Sequence, residues 1–221
     1  VRDQDKNIAL FQELSSSPAN MQASRSADVH GLLPGHEIQQ ADARQAYTQS
    51  RLGGTRTWVR LPREAWPKEW DGKYTDPVVI LVLSLYGHPD AGGYWEQHCE
   101  EHLLAQGFQL IRPWRSCYFH PKLKIFLVVY VDDFKLAGPQ KNMDEGWKLL
   151  RNELGIEEEI KVNEKGATYL GCRQKVTRVA LPNGRMATAM EWDMEEFIAS
   201  CLDKFNELAV VKDIRPALTP C

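Results

Sequence analysis

The hydrophobic pattern has its sharpest break at Ile125–Val131, where seven apolar residues in a row end on Asp132 and Asp133. The apolar stretch Phe134–Ala137, interrupted only by Lys135, follows at once. An apolar run, two acids and a second short run predict a buried β-hairpin with its charges at the turn. Three helical stripes are equally legible. Trp95, Cys99 and Leu103 recur every four residues between Tyr94 and Gln106, and Gly107 stops that helix. Met143, Trp147, Leu150 and Leu154 form a second stripe ending at Gly155. Asp193 with Glu196 resembles a capping box, opening a third helix with Met194, Phe197, Ile198, Cys201, Leu202, Phe205 and Leu208 on one face. The aromatic and Met positions of these helices are expected in the core. His98 and His102, at i and i+4, are expected on a solvated face, because no third ligand accompanies them.

Elsewhere the pattern is weaker. Residues 1–37 are polar and irregular, with breakers at Ser15–Pro18 and Pro34-Gly35, and a helix over Ala19–Leu33 rests only on Ala23, Ala27 and Leu33. Thr57–Leu61 reads as a strand ending at Pro62, and a loop rich in Trp, Pro and charge (Trp66, Trp70) runs to Pro77. Val78–Leu83 is a buried strand or the start of a helix. Strands are expected at Glu157–Val162 and Thr168–Val176, and a Pro182-Asn183-Gly184 turn leads into another. The chain is therefore α+β, with hairpins and helices interleaved.

Composition narrows the classes. A chain of 221 residues has ample material for a core, as one large domain or two small ones. Its net charge of −3 gives no overall support for nucleic-acid binding, which would need a local basic patch. No apolar stretch is long enough to span a membrane and no signal-peptide pattern is present. Five widely spaced cysteines without a C-x-x-C pair argue against a zinc site or disulfide framework and for a reducing compartment. Beginning on Val1 without an entry signal, the chain reads as a piece of something longer.

Asp132-Asp133 has two readings. Asp suits turns, because its side chain bonds its own backbone. Adjacent carboxylates on a rigid hairpin also suit Mg²⁺, which takes oxygen ligands from one or two carboxylates plus substrate phosphates. Two-metal phosphoryl transfer needs a further carboxylate from a neighbouring strand. Asp42, in Gln39-Gln40-Ala41-Asp42-Ala43-Arg44-Gln45-Ala46-Tyr47, is the candidate, and a structural cap is its alternative.

Four motifs stand in order. Tyr130-Val131-Asp132-Asp133 is followed by Phe134-Lys135-Leu136-Ala137-Gly138. Asp42 is followed five residues later by the aromatic Tyr47. Ser84-Leu85-Tyr86-Gly87 precedes Trp95, and Tyr169-Leu170-Gly171 comes last. In these the chain resembles the reverse transcriptase of copia-type (Ty1/copia) long-terminal-repeat retrotransposons, from about Phe11 and Ser17-Pro18 to Thr219-Pro220. The resemblance implies a palm-like antiparallel sheet backed by helices, with partial fingers over 1–37, a palm over 38–176 and a small C-terminal connection-like subdomain over 177–221. It implies that Asp42 and Asp132 hold two Mg²⁺ ions (Mn²⁺ as a substitute), with Asp133 more peripheral and the Ala43 carbonyl joining the nucleotide-side metal. Tyr47 would stack beneath the incoming sugar and exclude a 2′-hydroxyl. Tyr130 and Val131 would line the floor at the primer terminus, and Tyr169, Leu170 and Gly171 would support the primer strand.

The partners implied are an RNA or DNA template with its primer, dNTPs, and integrase and RNase H segments of a parent polyprotein, without a membrane. The location implied is a cytoplasmic particle with later nuclear entry. Two departures stand against the pattern. His88-Pro89-Asp90-Ala91-Gly92-Gly93 replaces a segment that carries Lys, Gln and Arg in the family, and Asp90 would add negative charge near a triphosphate. Basic strands ahead of the first motif are missing. The alternatives are an inactive remnant that at most binds nucleic acid, and an unrelated scaffold whose Asp42 lies far from Asp132.

Overall fold

A computed structural model describes residues 18–112 and 114–209. The stretches around Phe11, Ser17 and Thr219-Pro220 lie outside them. The described residues fall into two compact units that divide between Ile160 and Lys161. The division lies within the stretch expected to be palm.

In chain order the first unit contains α1 (Met21–Gly31), β1 (His36–Asp42), β2 (Trp58–Arg60), β3 (Val78–Ile80), α2 (Ala91–Ala105), β4 (Gln109–Leu110), β5 (Cys117–His120), β6 (Ile125–Tyr130), β7 (Asp133–Pro139) and α3 (Gln140–Arg151). The main sheet runs β4-β5-β6-β7-β1, and the two-residue strand β8 (Ile160–Lys161) falls on the division between the units. β4 with β5, β5 with β6, β6 with β7 and β7 with β1 all pair antiparallel. β2 and β3 pair separately. The architecture is α+β, antiparallel sheet backed by helices, as expected.

The two faces of the sheet are covered differently, because directly opposed residues share a face. Leu127, Phe134, Leu136 and Ile125 face α2 and α3, whose Trp95, Cys99, Leu103, Met143, Trp147 and Leu150 are all buried in one core cluster. Both stripes read from the sequence are thus core. Gly146 lets α3 settle there: a Cβ would lie 2.6 Å from Ile125 Cδ1.

α1 contacts β1, β6 and β7. Asn20 caps it, its Oδ1 accepting from Ala23 N at 2.8 Å, and Ala23, Ala27 and Gly31 make a fully or largely buried small-residue stripe. The approach is so close that a Cβ on Gly31 would sit 2.2 Å from Ile38 Cγ1. Beneath the helix, Lys135 Nζ donates to Asp28 Oδ1 and Ser24 Oγ, each at 2.9 Å, and both charged side chains are fully buried.

The second unit contains β9 (Ala167–Tyr169), β10 (Cys172–Ala180), β11 (Met186–Asp193) and α4 (Glu195–Ala209). Its sheet runs β11-β10-β9. The expected turn is present: Leu181 N donates to Arg185 O at 2.8 Å and Gly184 N to Leu181 O at 2.9 Å.

Five expectations need correction. The strand over Glu157–Val162 shrinks to β8, and the one over Thr168–Val176 is broken at Leu170-Gly171 into β9 and β10. Asp193 Oδ1 accepts from Glu195 N at 3.0 Å rather than from Glu196. The apolar face of α4 is exposed, with no buried residue in the helix. His102 is buried, not solvated: its Nε2–H donates to Leu149 O at 2.9 Å and its Nδ1 lies 3.3 Å from Glu153. A buried imidazole needs such partners, and the neighbouring helix supplies them.

Candidate active site

The two aspartates sit where β6 turns into β7. Tyr130 pairs with Asp133, so Val131 and Asp132 form a two-residue loop. Loops this short demand positive φ, which Asn and Gly supply cheaply. Here Val131 takes φ 58, a conformation that its branched Cβ opposes at a cost of about 1–3 kcal/mol. Both loop carbonyls are tied down. Trp95 Nε1–H donates to Val131 O at 2.6 Å, and Ala43 N donates to Asp132 O at 2.7 Å. The Trp95 stripe position, read as core, thus also clamps the turn.

The Ala43 bond comes from the end of β1, and the register there is decisive. Asp42 lies directly opposite Asp133 on the neighbouring strand. Residues about two-fifths of the chain apart therefore bring their carboxyl groups together, so Asp42 does not lie far from the hairpin. Burial, then the Asp42 and Asp132 charges, then a hydrogen bond to Asp42 push the Asp133 carboxyl up to about 7. Asp42 is exposed and Asp132 half-buried, so the cluster opens to solvent.

Tyr47 belongs to the same site. After Gln45 in the left-handed region, a one-turn 3-10 helix over Ala46–Gln49 turns the chain, with Ala46 fully buried. The half-buried Tyr47 phenol is raised from its ordinary value by burial, then by the Asp132 charge, then by Tyr86. Its ring lies against Tyr86, centroids 4.5 Å apart and planes at 32°. Tyr86 was missed as a site residue, although its Ser84-Leu85-Tyr86-Gly87 motif was read. What places it is a buried tie: Ser50 Oγ donates to Ser84 Oγ at 3.0 Å and Ser84 N to Ser50 O at 2.9 Å.

Asp90 differs from its expected role. It is only 2% exposed at the start of α2, and its Oδ1 has no hydrogen-bond partner among the described residues. Its side chain is held inside the unit rather than presented to an open site.

Of the predicted site residues, Asp42, Ala43, Tyr47, Tyr130, Val131, Asp132 and Asp133 all lie on β1, on the β6–β7 hairpin or just after β1. Tyr169, Leu170 and Gly171 lie in the second unit, where the buried Tyr169 ends β9. Leu170 (φ 50) and Gly171 (φ 75) make its turn into β10.

As the side chains stand, no group of three or more His, Cys, Asp or Glu among the described residues forms a site for a metal ion. The pair Asp42–Asp133 with Asp132 beside it nevertheless suits a divalent cation in its donor chemistry. A cation would relieve the like-charge repulsion that raises Asp133, and Mg²⁺ commonly keeps one or two protein carboxylates and fills the remaining positions with water and phosphate.

No family model matches the chain, and no curated protein matches it. Among solved structures it is similar to a telomerase from Candida albicans in complex with a three-way-junction (TWJ) fragment of telomeric RNA. The match has 11% identity and a TM-score of 0.39, over 90% of this chain and 41% of that one. The chain thus spans about two-fifths of that neighbour's length.

Proposed function

We propose that the chain carries the palm of an RNA-directed DNA polymerase of the copia type. The observation that carries this reading is the cross-strand pairing of Asp42 with Asp133, with Asp132 in the adjoining turn and Tyr47 beside it. The motifs were recognised separately along the sequence, and one corner of one sheet unites the first two.

The reaction is attack of a primer 3′-hydroxyl on the α-phosphate of a dNTP, with pyrophosphate leaving. Asp42 and Asp132 would hold Mg²⁺, with the Ala43 carbonyl on the nucleotide side. The metal would supply activation of the attacking oxygen and neutralisation of the leaving group. The rest falls to the chain. The clamped turn holds Asp132 in one place, so its charge is positioned before substrate arrives, which is how such sites lower a phosphoryl-transfer barrier. Asp133 keeps its proton to near neutrality when no cation is present, limiting the repulsion within the cluster. Tyr47, braced by Tyr86, forms a flat wall against which a deoxyribose fits and a 2′-hydroxyl would collide.

The test is Mg²⁺-dependent dTTP incorporation on oligo(dT)-primed poly(rA), comparing the chain with Asp132→Asn. Incorporation lost in the variant supports the reading. Equal incorporation by both sinks the role of Asp132. No incorporation by either favours a remnant that has kept the fold without the chemistry.

A further inference from the structure

The excursion between β1 and α2 carries a feature that the carboxylate site does not use. Trp66, Trp70 and Tyr74 recur every four residues on an irregular backbone containing two one-turn 3-10 helices, Arg63–Ala65 and Lys68–Trp70. Their rings form a ladder. Trp66 and Trp70 centroids lie 6.4 Å apart, and Tyr74 meets Trp70 edge-to-face at 5.7 Å. Trp66 is anchored, its Nε1–H donating to Leu61 O at 3.1 Å, and the Arg63 guanidinium lies 5.5 Å from its ring centroid.

Beside the ladder opens a cleft of about 470 Å³ lined by Arg63, Trp66, Gly72, Lys73, Tyr74 and Thr75. The lining holds two cations and no acid. Neither Arg63 nor Lys73 is ion-paired with a described residue, whereas nearby Arg60 is occupied by Asp76 at 2.8 Å. A ladder that served only to stiffen the excursion would turn its rings inward, yet Tyr74 stays 55% exposed at the rim.

We propose that this cleft binds single-stranded nucleic acid, stacking a base on the Trp66–Tyr74 wall with Arg63 and Lys73 on the flanking phosphates. Aromatic faces beside cations without a carboxylate partner are what single strands need, since every base has a π-face and each phosphate contact releases a counterion. A duplex hides those faces, so single strands are preferred. The chain is net −3 and Glu64, Glu69, Asp71 and Asp76 lie in the same excursion, but the charged side chains lining the cleft are both cations.

The experiment is fluorescence anisotropy of a labelled oligo(dT) in EDTA, so that it reports neither metal nor polymerisation. Tyr74→Ala, at an exposed position, is expected to weaken binding about tenfold, and Tyr74→Phe to restore it. Lys73→Ala is expected to flatten the salt dependence by roughly 0.7 in log–log slope. EDTA withholds the metal that incorporation would need, so the polymerase reading can fail while this one stands. The proposal is overturned by no binding, by Tyr74→Ala binding undiminished, or by a matched duplex binding as tightly. Equal competition by an acidic peptide would also overturn it, reducing the cleft to plain charge attraction.

Discussion

Replacing Trp95 with Phe tests whether the hairpin turn is held or merely adopted. The indole is 2% exposed and its N–H donates to the Val131 carbonyl at 2.6 Å. Phe keeps most of the apolar packing and deletes the donor. Leaving a carbonyl without its partner costs about 1–3 kcal/mol. The missing part of the ring leaves a small cavity in a close-packed core, so the whole change is expected to cost ~2–4 kcal/mol. That is a large share of the ~5–15 kcal/mol that stabilises an ordinary domain. The effect on the site should exceed the effect on the fold. Val131 sits at φ 58 against its own preference, so an unclamped turn relaxes and carries Asp132 away from Asp42. Urea denaturation should show a lower midpoint with unchanged slope, and Mg²⁺-dependent incorporation should fall more than the folded fraction does. The companion variant Val131→Asn puts a residue tolerant of this φ at the turn. In that background Trp95→Phe should cost the site less. If Trp95→Phe loses under about 1 kcal/mol and keeps full incorporation, or costs the same in both backgrounds, the clamp does not hold the turn.

Other expectations follow from the same geometry. Asp133 binds its proton more tightly folded than unfolded, so its contribution to stability is full below the ordinary carboxylate range and is lost as pH rises through about 7. Asp133→Asn should therefore gain stability at about pH 8, by ~1–2 kcal/mol after allowance for solvent screening, and gain nothing near pH 3; thermal melts at both pH values decide it. Mg²⁺ should raise the melting temperature of the parent chain and do so less for Asp42→Asn; an equal rise in both would remove the metal from this cluster. Lys135→Met takes the Lys135 ion pair from the fully buried Asp28 and should cost ~3–5 kcal/mol by chemical denaturation, while Lys135→Met with Asp28→Leu should recover most of it. Recovery failing in the double variant would mean that the pair is needed for shape rather than charge balance. Gly31→Ala should cost over about 1 kcal/mol, because its methyl would meet Ile38 at 2.2 Å; a neutral result would show that α1 can slide.

The sequence was legible where period and chemistry agreed. Trp95, Cys99 and Leu103 had to face inward once α2 formed, and Asp132-Asp133 had to lie at a turn once flanked by two apolar runs. The pairing of Asp42 with Asp133 could not be read from period, because register is a long-range property set by the whole of β1 against β7. Only the order of the motifs pointed to it. Periodicity also names the apolar face of a helix without naming its cover. That is why α4 carries Phe197, Ile198, Leu202 and Phe205 on one side and still leaves them 47–55% exposed. His102 fails the opposite way: a polar residue at a boundary position reads as solvated until the Leu149 carbonyl arrives from another helix. Val131 combines both lessons. Its place in an apolar run predicts a strand interior, and its φ of 58 makes it a turn residue instead. The strain is sustained because Trp95, 36 residues earlier, donates to its carbonyl. A β-branched residue in that position is a poor choice for folding speed or stability. The strain is thus held at the carboxylate tip of the hairpin, beside Asp132.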